Sequence, residues 1–266
     1  ISDVVVAEDL TKTPPVQADP GHVQAADLVA IQKGTTGLIT LTDVGAISGQ
    51  FSDLEVVMKT EKASFKNEEA DKVIITDAVT VANLETISKA TTGVVTATIS
   101  DTEMTKLDNL TETTADNVLT INLKDASVDA GKLKTLDTKT AGVVTVESTT
   151  VTGDIADIVT VYTAADTAIT GLGNEAVNVA DEMSIAQANS LTGTYTTGLV
   201  KGSLADSTKA QLDALVTSAN EYSVKLKTDT AYVASELKAI DAKTTGTVNA
   251  SIVTNISGSL ADVKAI

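Results

Sequence analysis

The chain has 266 residues, a formal net charge of −17 at pH 7 and 19 basic side chains, every one of them lysine. A negative chain without the guanidinium fork of arginine is poorly suited to phosphate, which excludes nucleic acid and anionic membranes as expected partners. The absence of cysteine excludes a disulfide framework and thiolate metal sites, and no apolar run approaches the roughly 18 residues of a membrane-spanning helix.

Residues 1–22 differ from the rest of the chain. They hold all three prolines and begin with an apolar run, ISDVVVA, that is typical of a strand. We predict an N-terminal strand followed by a proline-containing cap or linker, because repeat arrays need atypical ends. His22, the only histidine, is predicted to lie in a solvated loop, and one histidine does not suffice for a multi-histidine metal site.

From residue 23 to residue 266 the chain repeats a Thr-Gly turn, an alternating apolar run and a short helical segment. The turn glycines are 56, 49, 51 and 53 residues apart, which indicates a unit of about fifty residues. These glycines are Gly37, Gly93, Gly142, Gly193 and Gly246.

A weaker half-unit lies between these turns and divides each unit into two strand-plus-helix modules of about 25 residues. The half-units begin at Asp71, Asp116, Asn174 and Asn220. The hydrophobic share is 42% but the aromatic share only 2%, so the core is built from small branched side chains that suit a thin, stacked interior. We therefore predict one continuous array over residues 23–266, a parallel β-solenoid with short helical turns and about five units.

The strands alternate apolar and polar residues, which predicts one buried and one exposed face. In VLTINL, the apolar Leu119, Ile121 and Leu123 alternate with Thr120 and Asn122. The same alternation occurs over residues 144–147 and 224–227.

Helix starts are predicted from Ser-x-x-acid and related patterns, in which the first side chain accepts from an early backbone N–H. These are Ser259 with Asp262, Ser203 with Asp206, Asp154 with Asp157, Ser100 with Glu103, and Ser184 with Gln187. The acids could instead bind Ca²⁺, but no EF-hand loop or glycine-rich nonapeptide accompanies them, so we favour caps. No catalytic, cofactor-binding or metal-binding residue is predicted.

Three phrases, VADEMSIAQANSL, TTGTVNASI and ISGSLADV, carry a family resemblance. They are similar to the degenerate repeats of very long, Thr-rich, acidic bacterial surface proteins, including S-layer-like proteins and giant adhesins of cyanobacteria. The resemblance covers the chain from about Val23 onward. It implies an extracellular, structural and self-associating role at the cell surface.

The predicted function is therefore structural: a segment of a surface layer, fibre or appendage, with adhesion as an associated activity and no enzymatic one. The expected partners are further copies, bound head-to-tail or laterally, with surface polysaccharide as a further candidate. The chain starts at Ile1 and stops within a repeat at Ile266, so we expect a processed product or an excerpt of a longer array. The spare strand at residues 1–7 and the incomplete last unit favour head-to-tail contact.

Two other functions stay open. A Thr-rich solenoid binds ice through a flat ladder of Thr-x-Thr pairs, of which Thr40 with Thr42 and Thr96 with Thr98 are examples. A polysaccharide-acting β-solenoid enzyme is the other alternative, although the missing arginine and tryptophan disfavour it.

Overall fold

The computed structural model describes residues 21–41, 44–66, 72–111, 116–165, 167–205, 208–216, 219–227 and 230–266. The predicted strand at residues 1–7 and the three prolines lie outside these ranges. The described part is an α/β fold, and every pair of adjacent strands recorded in it is parallel.

The strands are short, and most are followed within a few residues by a short helix. The strands are β1 (His22–Gln24), β2 (Ile39–Thr40), β3 (Ala46–Gly49), β4 (Phe65–Lys66), β5 (Lys72–Val79), β6 (Val95–Ile99), β7 (Val118–Leu123), β8 (Ser127–Asp129), β9 (Val144–Val146), β10 (Thr150–Gly153), β11 (Ile169–Thr170), β12 (Ala176–Met183), β13 (Val200–Leu204), β14 (Glu221–Lys225), β15 (Ala231–Val233), β16 (Val248–Asn249) and β17 (Asn255–Ser257). The helices are α1 (Ala25–Gly34), α2 (Phe51–Glu55), α3 (Val81–Ser88), α4 (Met104–Leu107), α5 (Ala130–Asp137), α6 (Ile155–Thr163), α7 (Ile185–Ser190), α8 (Lys209–Asp213), α9 (Ala234–Asp241) and α10 (Leu260–Val263). Single π-helical turns follow α2 and α7, at Val56–Thr60 and Leu191–Tyr195.

The contacts divide the chain into two compact units, Ile1–Lys124 with Thr135–Thr145, and Asp125–Lys134 with Val146–Ile266. In the first unit the strands lie side by side in the order β1-β3-β5-β6-β7-β9. In the second unit the order is β8-β10-β12-β13-β14-β16, and β15 pairs with β17. In both units neighbours in space follow one another in chain order.

The predicted faces of the strands are confirmed. Leu119, Ile121 and Leu123 are fully buried, whereas Thr120 is exposed. The apolar positions of residues 144–147 and 224–227 are also buried. The core therefore consists of aliphatic side chains from one face of each strand and from the helix that follows it.

The Thr-x-Gly turn has a defined structure. The threonine Oγ1 accepts a hydrogen bond from the glycine N–H, as in Thr140 with Gly142 at 2.8 Å and Thr244 with Gly246 at 2.9 Å. A Cβ on Gly142 would overlap the carbonyl of Leu119, which explains why glycine is required there.

One predicted turn glycine has a different position. The fourth Thr-x-Gly turn is formed by Thr196 and Gly198, whose N–H donates to the threonine Oγ1 at 2.9 Å. Gly193, the predicted residue, lies instead in the π-helical turn Leu191–Tyr195. Gly193 and Gly198 each directly follow a threonine, so the local sequence does not distinguish the two positions.

The same hydrogen bonds recur after 104 or 105 residues. The N–H of Phe51 donates to Asp77, and that of Ile155 donates to Asp181, both at 2.8 Å. The offset is 155 − 51 = 104 and 181 − 77 = 104. Likewise, Glu85 accepts from the Thr111 N–H and Asn189 from the Val216 N–H, at offsets of 104 and 105.

These equivalences sort the strand-plus-helix modules into four types that follow one another along the chain. The first type covers residues 22–34, 118–137 and 221–241; the second 39–60, 144–163 and 248–263; the third 65–88 and 169–190; the fourth 95–107 and 200–213. The recurrence that the structure displays is therefore four modules of about 25 residues.

Two of the predicted helix caps are confirmed. Ser184 accepts from the Gln187 N–H and forms a capping box, and Ser259 accepts from the Asp262 N–H at 3.1 Å. These side chains replace one of the hydrogen bonds that a first helical turn lacks.

The other predicted caps are wrong or fall outside the described residues. Ser203 lies within β13, and Ser100 precedes α4, whose N-cap residue is Glu103. Asp154 is the N-cap residue of α6, but its side chain makes no capping bond to that helix in the described structure. The partner proposed for Ser203, residue 206, lies outside the described ranges.

Candidate interaction surface

The last module, residues 248–263, has the sequence of a core-forming module. Its phrase GSLADV matches GDIADI of residues 153–158 with an offset of 105. Both phrases begin with a glycine at positive φ, Gly153 at 143° and Gly258 at 140°. A Cβ on either glycine would lie 3.3–3.4 Å from the Cβ of an alanine in the preceding module, Ala130 or Ala234. Each of the two modules therefore packs against the module before it in the same way.

The apolar residues of this last module are nevertheless exposed. Leu260 is 70% exposed and Ile256 44%, whereas their equivalents Ile155 and Val151 are 5% and 0% exposed. We define the end face as the four large apolar residues that are exposed within residues 248–266, namely Ile256, Leu260, Val263 and Ile266.

The difference has a simple physical cause. In the internal copy, Val151 and the rest of β10 pair with β8 on one side and with β12 on the other. Helix α6 also contacts β12 and the π-helical turn Leu191–Tyr195. Within the described residues, β17 pairs with β15 alone. Its second edge therefore presents backbone donors and acceptors without a strand partner, next to uncovered aliphatic side chains.

The end face also contains a groove. A cavity of about 390 Å³ lies between helix α9 and the chain after β16, lined by Leu237, Val248, Ile256 and Ile266. Its lining is mainly aliphatic, and Asp241 is the one charged residue in it. An apolar groove beside an open strand edge binds a strand and its side chains, because the edge supplies main-chain hydrogen bonds and the groove supplies specificity.

A second polar cluster is internal. The Tyr162 hydroxyl donates to the Glu175 carboxylate, and both side chains are buried. Glu175 also accepts from the backbone N–H groups of Gly173 and Asn174, at 2.9 and 3.1 Å. Burial, and then the neighbouring Glu175, raise the pKa of Tyr162. The Glu175 carboxylate therefore accepts hydrogen bonds from the buried donors of an irregular turn. The Tyr162 phenol is held in its neutral form, which is unsuited to act as a nucleophile.

The remaining predicted positions do not form a site. His22 belongs to β1, not to a loop, and its Nε2 lies 2.7 Å from the Ser48 hydroxyl on the neighbouring strand. The loop prediction for His22 is therefore wrong. Within the described ranges, no three His, Asp or Glu side chains come close enough to hold a metal ion.

The Thr pair of β6 does not extend into a ladder. Thr96 is paired in register with Ile74 on one side and Val118 on the other. Thr98 is paired with Ala78 and Thr120. Of the other predicted pair, Thr42 lies outside the described residues.

Comparison of the chain with protein-family models, with curated proteins and with solved structures finds no match. Among the described residues, no helix has the length and apolar character needed to cross a membrane.

Sequence reasoning located the end face only in part. It predicted an incomplete last unit, but it did not identify Ile256, Leu260 and Val263 as core-type residues. The signal was present in the match of GSLADV to GDIADI, which is visible only when modules are compared at an offset of 105 residues and not fifty.

Proposed function

We propose that the chain is a segment of a parallel β-solenoid with a structural, self-associating role in an extracellular surface layer, fibre or appendage. Catalysis is not part of this proposal. The observation that carries it is the parallel pairing of strands with those one module earlier and one module later, as in β10 with β8 and β12.

The strand arrangement supports a solenoid over a doubly wound fold. Residues paired between neighbouring strands are 20 to 26 positions apart, as in Lys201 with Glu221 and Ala46 with Lys72. Each strand thus lies beside the strand one module earlier and one module later, the arrangement of stacked repeats. A doubly wound sheet reverses its strand order at a switch point, whereas within each unit the strand order here follows the chain without reversal.

The lateral surface supports a structural role. The outward positions of the second unit carry small polar or charged residues, with cross-strand ion pairs such as Lys201 with Glu221 at 2.6 Å. A net charge of −17 keeps such sides apart in solution. Association is therefore favoured at the apolar end rather than along the sides.

The proposal is tested by the assembly state of the purified chain. We expect concentration-dependent association in light scattering and linear or layered particles in electron micrographs. The double variant Ile256→Asp with Leu260→Asp should remain monomeric, because a carboxylate on an interface that excludes water costs several kcal/mol.

A matched control separates the end face from general surface hydrophobicity. Leu38 is 51% exposed and lies in the first unit, away from the last module in sequence. Leu38→Asp should associate as the unmodified chain does, and all variants should keep the same circular dichroism spectrum. A chain that stays monomeric at every concentration, or an effect of Leu38→Asp equal to that of the double variant, would contradict the proposal.

A further inference from the structure

A cavity lined by lysine side chains lies in the first unit. It has a volume of about 420 Å³ and is formed by the π-helical turn Val56–Thr60, the 3₁₀ turn Lys62–Ser64 and the end of α3. Its volume lies within the range of about 300–1,000 Å³ that is usual for small-molecule sites. The residues that line it are Met58, Lys59, Lys62, Thr86, Lys89 and Ala90. We name this feature the lysine cavity.

The charge of the lysine cavity is opposite to that of the chain. The sequence has 36 acidic residues against 19 lysines, yet no acidic side chain is among the residues that line the cavity. Glu55 accepts from Lys59 at 2.9 Å, but the Lys59 side chain is 57% exposed, and an exposed ion pair of this kind contributes little stability. Lys89 is also exposed, and Lys62 is half-buried. The ammonium groups are therefore accessible to a ligand.

The helix ends alone do not explain these lysines. Cations are favoured at the carbonyl end of a helix, where Lys59 and Lys89 lie. The corresponding helical segments of the second unit, α6 and the turn Leu191–Tyr195, have no basic residue in their last turn. At an offset of 104, the sequence has Thr163, Asp166 and Gly193 in place of Lys59, Lys62 and Lys89. The same module types therefore stack without this charge, which points to a ligand.

The chemistry of the lysine cavity favours carboxylate groups. The helix ends around it present carbonyl oxygens, not the backbone N–H groups that hold phosphate at helix N-termini. No aromatic side chain lines the cavity, so a neutral sugar has no ring on which to stack. A lysine ammonium is a compact point charge, and the lysine stems with Ala90 offer apolar surface to the carbon skeleton of a ligand.

We propose that the lysine cavity binds a ligand with two or more carboxylate groups, either a small polycarboxylate or the uronate units of an acidic polysaccharide. The net charge of −17 repels polyanions from the chain as a whole, so that binding is expected at this cavity and not along the general surface. All the lining residues belong to the first unit. The inference therefore goes beyond the proposed function and does not depend on self-association.

The test is isothermal titration calorimetry of the full chain in a buffer without divalent cations. The probes are citrate, a small tricarboxylate, and polygalacturonate, a uronate polymer. Inorganic phosphate and neutral dextran are the comparison ligands. We expect saturable binding of a carboxylate probe at one site per chain and none of dextran. Binding of citrate would assign the cavity to small polycarboxylates, whereas binding of polygalacturonate without citrate would assign it to the polymer.

The double variant Lys62→Gln with Lys89→Gln should weaken carboxylate binding about tenfold, because two of the three ammonium groups are lost. Lys225→Gln with Lys238→Gln is the matched control, since both lysines are exposed in the second unit and the change in net charge is the same. This control should keep the affinity of the unmodified chain. Lys62→Arg with Lys89→Arg retains the charge and should keep most of the affinity. Circular dichroism checks that all variants remain folded.

Three results would overturn the inference. The first is the absence of saturable binding of both carboxylate probes, and the second is a loss of affinity in the control equal to that in the Lys62 and Lys89 variant. The third is tighter binding of phosphate or dextran than of either carboxylate probe, because the cavity would then not select carboxylates. Poly-glutamate serves as a further probe. Tighter binding of poly-glutamate than of citrate and polygalacturonate would assign the cavity to an acidic protein and reject both ligands named here.

Discussion

At the scale of single residues, the contact between Tyr162 and Glu175 shows why a polar pair persists in an aliphatic core. The carboxylate accepts from two backbone N–H groups of the turn before β12 as well as from the phenol. Removing one donor from a buried charged acceptor exposes the remaining charge to an apolar environment. The pair is thus a structural element of this turn.

We predict that Tyr162→Phe lowers the free energy of unfolding by about 1–3 kcal/mol at neutral pH, because Glu175 loses a buried donor. Since the folded-state pKa of Tyr162 is raised, its stabilising effect is complete below the unfolded value of about 10 and is lost as pH rises through the folded value. Urea unfolding of both proteins from pH 8 to 11 measures this. The difference in free energy of unfolding between the unmodified chain and Tyr162→Phe should be constant below pH 10 and should shrink above it.

Tyr195→Phe is the control, because its ring lies 5.8 Å from that of Tyr162 while the bond to Glu175 stays in place. This variant should keep the pH profile of the unmodified chain. A constant difference between the unmodified chain and Tyr162→Phe across the whole pH range would show that the phenol does not titrate as the structure requires.

At the scale of elements, the first N–H of each of helices α2, α3 and α6 donates to a carboxylate of the next module. Asp181 lies in β12, 26 residues after Ile155, yet it accepts from the Ile155 N–H at the start of helix α6. Asp77 and Asp101 do the same for Phe51 and Val81, from 26 and 20 residues away. A carboxylate at a helix start satisfies an otherwise free donor and favours the positive end of the helix dipole. Stacking and helix formation are therefore coupled.

We predict that Asp181→Ala destabilises the chain by about 1 kcal/mol, the usual effect of losing a side-chain cap. Asp181→Asn should retain most of the stability, since its amide oxygen still accepts. Asp154→Ala, at the local N-cap position of the same helix, should change stability by less than about 0.5 kcal/mol. Thermal and urea unfolding measure all three. A larger loss of stability from Asp154→Ala than from Asp181→Ala would contradict this prediction. It would support the local cap at Asp154 that the sequence pattern predicts.

These elements also show what the sequence alone could determine. The alternation of Leu119, Ile121 and Leu123 correctly predicts the buried face, because a strand has only two faces. The cap at Asp154 is wrongly predicted, because a local spacing rule does not see an acid 26 residues away. That acid becomes a neighbour only once strands pair at this same offset. The end face was missed in detail for the same reason, since exposure depends on what the next module covers.

At the scale of the whole molecule, the four module types repeat with a period of about 104 residues. Each module contacts its neighbours through pairs that recur at this period, such as Lys139 with the Leu110 carbonyl and Lys243 with the Leu215 carbonyl. In the proposed solenoid, the free energy of unfolding is approximately the sum of module terms and nearest-neighbour interfaces. It should therefore depend on whether neighbouring modules are of matching type, more than on how many modules there are.

A deletion of one full period tests this dependence. Removing residues 72–175 takes away 104 residues and joins the chain at Ala176, the equivalent of Lys72. Val177 then occupies the position of Val73, and Asp181 that of Asp77, where it can accept from the Phe51 N–H. We predict that this 162-residue chain folds with a cooperative thermal transition followed by circular dichroism. Its urea m-value should fall in proportion to the surface removed.

Removing residues 72–149 instead deletes less of the chain but joins modules of different type. The junction places Ile155 where Asp77 stood, so the Phe51 N–H loses its acceptor, and a second-type strand replaces the eight-residue third-type strand. We expect a broad transition or aggregation, because mismatched neighbours leave apolar surface and backbone donors uncovered. If the shorter deletion were as cooperative as the longer one, module type would not matter. The size of the array alone would then determine its stability.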